Sequence, residues 1–131
     1  MRTSHKIIIV FICLICSLIG FLVKIPVPLR GHDKLEHAAF YFLAAAFLHI
    51  LFRKGLILIL LILALFGVLI EYLQQVANKV MYSHIHGRFD VEDIQANLKG
   101  LAVYAGLALL IFAFRYLGKS GDKKEDQNIK Q

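Results

Sequence analysis

The sequence lacks the short motifs that mark many soluble hydrolases and metalloenzymes. It contains no G-x-S-x-G, no H-E-x-x-H and no glycine-rich phosphate loop. Ser83 lies in a predicted loop, and the sequence assigns it no catalytic partner. No segment is repeated and no second domain is indicated. The sequence therefore offers no nucleophile around which a soluble active site would be built.

Cysteine and proline are scarce, and each is confined to one segment. Cys13 and Cys16 form a C-x-x-C spacing inside a run of Ile, Leu and Phe. A thiol surrounded by hydrocarbon supplies little of the thiolate that redox and zinc chemistry require, so we interpret both cysteines as packing residues. Pro26 and Pro28 lie in KIPVPLRGHDK, where they favour extended backbone and predict a surface loop.

Apolar residues, in contrast, are in large excess. Hydrophobic residues make up 59% of the 131 residues and the mean hydropathy is +0.69, both above the range of a soluble domain. A hydrocarbon core about 30 Å thick requires roughly 17 to 25 apolar helical residues per crossing. We predict an all-α, integral membrane four-helix transmembrane bundle over residues 1–117, with helices at about 7–23, 35–52, 56–77 and 93–117.

The two ends of the chain require separate interpretation. Arg2 and Lys6 precede the first apolar run, as they would in a secretory signal peptide, but the run is long and no A-x-A-like site follows it. We therefore interpret it as a retained helix. Residues 118–131 are almost without apolar side chains and predict a disordered cytoplasmic tail.

Basic residues predict the orientation, because cytoplasmic loops carry an excess of Lys and Arg. The side that holds both termini carries nine of them and the other side carries six. We therefore predict a multi-pass protein of the cell membrane with both termini cytoplasmic. The net charge of +6 follows from this topology and from attraction to anionic lipids, so we expect membrane lipids as partners and no nucleic acid.

Polar residues recur at helical spacing on three of the four predicted helices. The stripes are Asp33, His37 and Tyr41 on the second helix, Gly67, Glu71 and Gln74 on the third, and Asp93, Asn97, Gly100 and Tyr104 on the fourth. Polar side chains that face lipid cost several kcal/mol, so these stripes should face one another. Small residues on the stripes, such as Gly67 and Gly100, permit close helix contact. The pattern predicts a polar pocket that opens outward.

Three segments together resemble the VanZ-like family of small membrane proteins: DKLEH at 33–37, EYLQ at 71–74 and GRFDVEDIQANLKG at 87–100. They match D-K-x-x-H, E-x-x-Q and R-x(4)-D-x(3)-N-x-x-G in order and spacing. The stretch YSHIH departs from the family, in which a proline commonly precedes the Gly-Arg pair. The resemblance implies a ligand-binding set of Asp33, Lys34, His37, Glu71, Gln74, Arg88, Asp93, Asn97 and Gly100.

The family takes its name from a protein that gives low-level resistance to teicoplanin, a lipoglycopeptide that acts on cell-wall precursors outside the membrane. The resemblance therefore implies a role in the cell envelope and in glycopeptide resistance. Arg88 and Lys34 suit a phosphate or carboxylate, and the start of the fourth helix adds free N–H groups. We expect an anionic lipid, a cell-wall precursor or the glycopeptide itself as ligand.

Three other interpretations remain open. The acids Asp33, Glu71 and Asp93 would neutralise the cations in a structural network that fixes the helix register. A membrane hydrolase or transferase acting on a lipid-linked substrate would use His37 as a base, with Asp33 and Glu71 as the candidate carboxylates. An assembly subunit would dock a partner membrane protein, or a second copy of the chain, against the polar stripe.

Histidines in the last loop are weak candidates for metal ligands. His84 and His86 form an H-x-H spacing that points both side chains the same way in extended backbone, with His32 and His37 predicted nearby. The spacing is common in polar loops, so we expect no metal there. No cofactor motif occurs, and we expect no cofactor.

Overall fold

The computed structural model describes residues 2–22, 33–53, 55–80 and 89–128, with side chains for 2–20, 34–53, 55–80 and 89–118. The helices are α1 (Thr3–Leu22), α2 (Asp33–Phe52), α3 (Leu56–Val80) and α4 (Val91–Asn128). No strand occurs among these described residues. The predicted all-α, four-helix fold is confirmed.

All four helices are long and apolar enough to cross a membrane, over Thr3–Gly20, Lys34–Phe52, Leu56–Val80 and Val91–Gly118. Large apolar side chains cover the outside of the bundle; Ile57 is 76% exposed and Phe114 is 74% exposed. Exposing this apolar surface to water would cost free energy, whereas contact with the hydrocarbon core of a membrane does not. The chain is thus a multi-pass membrane protein.

The end of α4 differs from the sequence prediction. The sequence predicts an end near residue 117 and a disordered tail over 118–131, whereas the structure continues α4 as helix to Asn128. Extending an existing helix adds one backbone hydrogen bond per residue without a new nucleation step. The helix can therefore continue beyond residue 117 without the apolar residues that the sequence prediction required. Residues 129–131 lie outside the described part of the chain.

The closest helix pair is α2 and α4. Both helices begin at the same end of the bundle and run in parallel, since His37 meets Asn97 near their starts and His49 meets Tyr104 further along. Gly100 permits the close approach, because a Cβ at this position would lie 2.1 Å from the carbonyl oxygen of Ala38. A larger residue would force the two backbones apart.

Helix α3 runs in the opposite direction and packs against both α2 and α4. The three helices enclose an apolar core of Tyr41, Ala45, Ile59, Leu63, Leu101 and Tyr104. Because α3 is antiparallel to its neighbours, its last turns lie beside their first turns. This end of the bundle, where α2 and α4 begin and α3 finishes, is called the polar end below.

Helix α1 lies at the periphery, and none of its membrane span is buried. Near its start the Nζ of Lys6 donates a hydrogen bond to the carbonyl oxygen of Leu51, at 2.6 Å. Leu51 is close to the end of α2, so the start of the chain lies at the opposite end from the polar end. The α2–α3 turn uses left-handed backbone at Arg53 (φ 55°) and Gly55 (φ 78°).

An apolar cleft of about 120 Å³ separates α1 from α2 and α3. It is lined mainly by aliphatic and aromatic side chains, among them Val10, Leu14, Phe40, Phe47 and Ile62. Cys13 also lines it, and both Cys13 and Cys16 are exposed and form no disulfide. The cleft gives the bundle an apolar surface that a hydrocarbon chain can occupy.

Candidate functional site

Among the residues with described side chains, five polar ones are buried at the polar end, each at most 9% exposed. They are His37 on α2, Glu71 and Gln74 on α3, and Asp93 and Asn97 on α4. All five belong to the set predicted from the sequence, and they are called the polar cluster below. The helical spacing places them on inward faces because the opposite faces of the same helices carry apolar side chains.

The imidazole of His37 joins α2 to α4. Its Nδ1 lies 2.9 Å from Oδ1 of Asn97, and both side chains are buried. A carboxamide oxygen can only accept, so Nδ1–H is the donor in this hydrogen bond. The contact therefore fixes the position of the ring between α2 and α4.

Asp90 closes the start of α4 and connects it to α3. The N–H of Glu92 donates to Asp90 Oδ1 at 2.7 Å, which is the usual geometry of a helix N-cap. The backbone N–H of Asp90 donates in turn to Oε2 of Glu71 at 3.3 Å. This cap orients the Glu71 carboxylate. Asp90 is not among the site residues predicted from the sequence.

Three buried polar atoms have no hydrogen-bond partner within the part of the chain that is described. They are Tyr41 Oη, Glu71 Oε1 and Asn97 Nδ2. Two of them converge on Gly67, where an added Cβ would lie 2.9 Å from Asn97 Nδ2 and 3.2 Å from Tyr41 Oη. Buried polar groups in native proteins are nearly always satisfied, so these atoms are candidates for contacts with a water, an ion or a ligand.

A nitrogen or oxygen ligand atom from each of His37, Glu71 and Asp93 lies within 4.8 Å of the others. These residues come from α2, α3 and α4, one from each helix. Imidazole and carboxylate are both metal ligands, and both also serve in proton transfer. The polar cluster thus contains the groups needed either to hold a cation or to move a proton.

No family model, no curated protein and no solved structure matches this chain. The resemblance to the VanZ-like family therefore rests on the three sequence segments alone.

The remaining predicted residues lie in different places. Lys34 forms an ion pair with Glu92, and their side chains are 59% and 62% exposed, so Lys34 lies at the rim of the site. Gly100 contacts the α2 backbone and acts in helix packing. Asp33 begins α2, but its side chain lies outside the described residues, as do Arg88, His84 and His86.

A second polar contact joins α2 and α4 further from the polar end, and it is partly buried. His49 Nδ1 and Tyr104 Oη are 2.7 Å apart, and the two rings meet edge to face at 5.9 Å. Neither residue is among the site residues predicted from the sequence. A signal was available, because His49 continues the four-residue spacing that runs from His37 through Tyr41 and Ala45.

Proposed function

We propose that this protein is a VanZ-like protein of the cell membrane that binds an anionic lipid or a lipid-linked cell-wall precursor at its polar cluster. In this proposal the polar end faces outward, both termini are cytoplasmic, and ligand binding underlies resistance to glycopeptides such as teicoplanin. The observation that carries the proposal is a set of three buried polar atoms, at one end of a membrane bundle, that have no hydrogen-bond partner among the described residues.

The chemistry of these atoms indicates the part of the ligand that they would contact. Glu71 Oε1 can only accept when it is ionised, Asn97 Nδ2 can only donate, and Tyr41 Oη can do both. Sugar hydroxyls and peptide amides match this mixture, because they present donors and acceptors side by side. Lipid-linked wall precursors carry both kinds of group, which supports them as the ligand class.

The anionic part of such a ligand would lie at the rim. Glu71 and Asp93 make the buried cluster acidic, so a phosphate would be repelled there unless a cation intervened. Lys34 is exposed at the start of α2, and the first N–H groups of α4 lie at the same end of the bundle. With Arg88, these groups are the donors that we assign to a phosphate or carboxylate.

The apolar cleft supports an amphiphilic ligand. Phe40 and Ala44 line the cleft and follow His37 on α2 by about one and two helical turns. A ligand with its headgroup at the polar end could therefore place a hydrocarbon chain along α2. Such a ligand would bind the polar cluster with its headgroup and the apolar cleft with its hydrocarbon chain.

Teicoplanin susceptibility tests the proposal. A Gram-positive host that lacks its own copy would express wild type, Asn97→Ala or Gln95→Ala at matched membrane levels. Gln95 is exposed on the same helix, two residues from Asn97, and serves as the control. We expect protection from wild type and Gln95→Ala and none from Asn97→Ala. Equal susceptibility of cells with and without the wild-type protein would contradict the resistance role.

A membrane hydrolase or transferase is the second candidate, favoured by the carboxylates of Glu71 and Asp93 near His37. Either carboxylate could stabilise an imidazolium formed when His37 accepts a proton. Purified protein in detergent should then turn over lipid-phosphate substrates, and His37→Ala or Asp33→Asn should abolish turnover. Gln95→Ala should keep it. Absence of turnover by folded wild type across these substrates would remove this candidate.

A further inference from the structure

We propose that His37, Glu71 and Asp93 bind a divalent transition-metal ion, with Zn²⁺ or Mn²⁺ as the fitting ions. Each ligand comes from a different helix, and their ligand atoms lie within 4.8 Å of one another. Metal sites in helical bundles are commonly built from inward-facing carboxylates and imidazoles on neighbouring helices. All three residues belong to helices that are long and apolar enough to cross a membrane.

The electrostatics of the three groups favour a cation. Two carboxylates brought close together in a medium of low dielectric constant repel each other when both are ionised. A divalent ion placed between them replaces this repulsion with attraction to both. The same ion would also bind a ring nitrogen of His37, whose ligand atom lies within 4.8 Å of those of both carboxylates.

Glu71 provides a second and independent observation. The residue is 1% exposed, yet its Oε1 has no hydrogen-bond partner within the described residues. Its other oxygen, Oε2, accepts the N–H of Asp90, so the carboxylate is held in one orientation. A buried, oriented carboxylate oxygen that has no hydrogen-bond partner among the described residues is well placed to coordinate a metal ion.

The hydrogen bond to His37 matches the surroundings of a metal-bound histidine. Such histidines almost always donate their second ring N–H to a carbonyl, carboxylate or water, which fixes the tautomer. Here Nδ1–H donates to Oδ1 of Asn97, so Nε2 would be the nitrogen that binds the proposed ion. Asn97 is therefore a positioning residue for the proposed ligand.

The ligand set narrows the choice of ion. One imidazole nitrogen suits Zn²⁺ and other transition metals, whereas carboxylate oxygens also suit Mn²⁺. Three protein ligands leave at least one coordination position for water or for an oxygen of a bound molecule. If Glu71 Oε1 binds the ion, an organic ligand would meet the ion at this position instead of the carboxylate oxygen itself. Metal binding is measured with the ion alone and does not depend on the proposed function.

Metal titration of the purified full-length protein in detergent tests the inference. Protein stripped with a chelator would be titrated separately with Zn²⁺ and Mn²⁺ by calorimetry, and bound metal would be counted by elemental mass spectrometry. We expect one ion per chain for wild type. Glu71→Gln and Asp93→Asn should bind at least tenfold more weakly, and Asn97→Ala about 10-fold to 100-fold more weakly.

Glu92→Gln is the matched control, because Glu92 neighbours Asp93 but is exposed and pairs with Lys34. It should bind metal like wild type. Circular dichroism and gel filtration would show which variants remain folded, and a metal-induced rise in the melting temperature of wild type would test the site without any variant. Absence of metal binding by wild type, or equal losses in Glu92→Gln and Glu71→Gln, would overturn the proposal.

Discussion

Asn97 on α4 accepts a hydrogen bond from His37 on α2 at 2.9 Å and has its Nδ2 close to Gly67 on α3. One carboxamide thus touches both of the other helices that form the polar end. Its oxygen has a partner, whereas its nitrogen has none within the described chain. The Asn97 oxygen therefore holds α2 and α4 together, while its nitrogen is available to donate to a ligand.

Removing the hydroxyl of Tyr41 tests whether that group binds a ligand or stabilises the fold. Tyr41→Phe removes an oxygen that is buried without a described partner, so we expect unfolding stability to stay the same or rise. Ligand binding and protection from teicoplanin should weaken. Thermal unfolding in detergent and the susceptibility assay measure the two effects.

Tyr104→Phe is the control for this substitution, because it removes a hydroxyl that has a partner. Loss of the contact with His49 should lower the free energy of unfolding by about 0.5–1.5 kcal/mol without changing ligand binding. If Tyr41→Phe and Tyr104→Phe lose the same stability, Tyr41 Oη has a structural partner and the binding argument loses one of its three atoms.

Gly100 should tolerate no side chain. Gly100→Ala would place Cβ 2.1 Å from the Ala38 carbonyl oxygen and push α2 and α4 apart, at a cost of about 1–3 kcal/mol. Gly106→Ala is the control, since a Cβ there would meet nothing within 4 Å. Thermal unfolding should show a loss for Gly100→Ala and none for Gly106→Ala. Equal melting temperatures would refute the close packing.

Gly67 should be sensitive in a different way. In Gly67→Ala the new methyl group would press on Asn97 Nδ2 and Tyr41 Oη, at 2.9 and 3.2 Å. Both atoms are at the ends of side chains that can shift, so we expect a smaller stability loss than for Gly100→Ala. Ligand binding should still be impaired, because the methyl group would occupy space beside the unsatisfied atoms. Unimpaired binding by Gly67→Ala would place the ligand elsewhere.

The ion pair between Lys34 and Glu92 should contribute little to stability. Both side chains are mostly exposed, and exposed pairs contribute about 0–1 kcal/mol. Lys34→Gln should therefore unfold at nearly the wild-type temperature. Affinity for an anionic headgroup should fall, with a steeper loss at low salt, if Lys34 acts at the rim. A large stability loss in Lys34→Gln would instead assign it a structural role.

Helical periodicity made much of this arrangement predictable. His37, Glu71 and Asn97 lie on polar stripes of otherwise apolar helices, and only an inward orientation avoids exposing them to lipid. The structure confirms their burial and the four-helix fold. The membrane orientation and the ligand are still predictions.

Other features depend on distances that the sequence does not contain. From the sequence alone, Gly100 could contact either a ligand or a neighbouring helix. The structure distinguishes the two, because a Cβ added at Gly100 would lie 2.1 Å from the carbonyl oxygen of Ala38 on α2. Lys34 is long enough to reach outward to Glu92, so its place on α2 did not reveal its partner. The extension of α4 to Asn128 depends on helix propagation, which an apolar-run argument does not consider.

The most direct test of the central claim is mass spectrometry of lipids that remain bound to the purified protein. Wild type and Gln95→Ala would be compared with Asn97→Ala and Tyr41→Phe, after expression in the same Gram-positive host. We predict that an anionic lipid or a lipid-linked wall precursor is enriched on wild type and Gln95→Ala. The same lipid should be depleted on Asn97→Ala and Tyr41→Phe. Equal lipid content in all four folded proteins would contradict a binding site at the polar cluster.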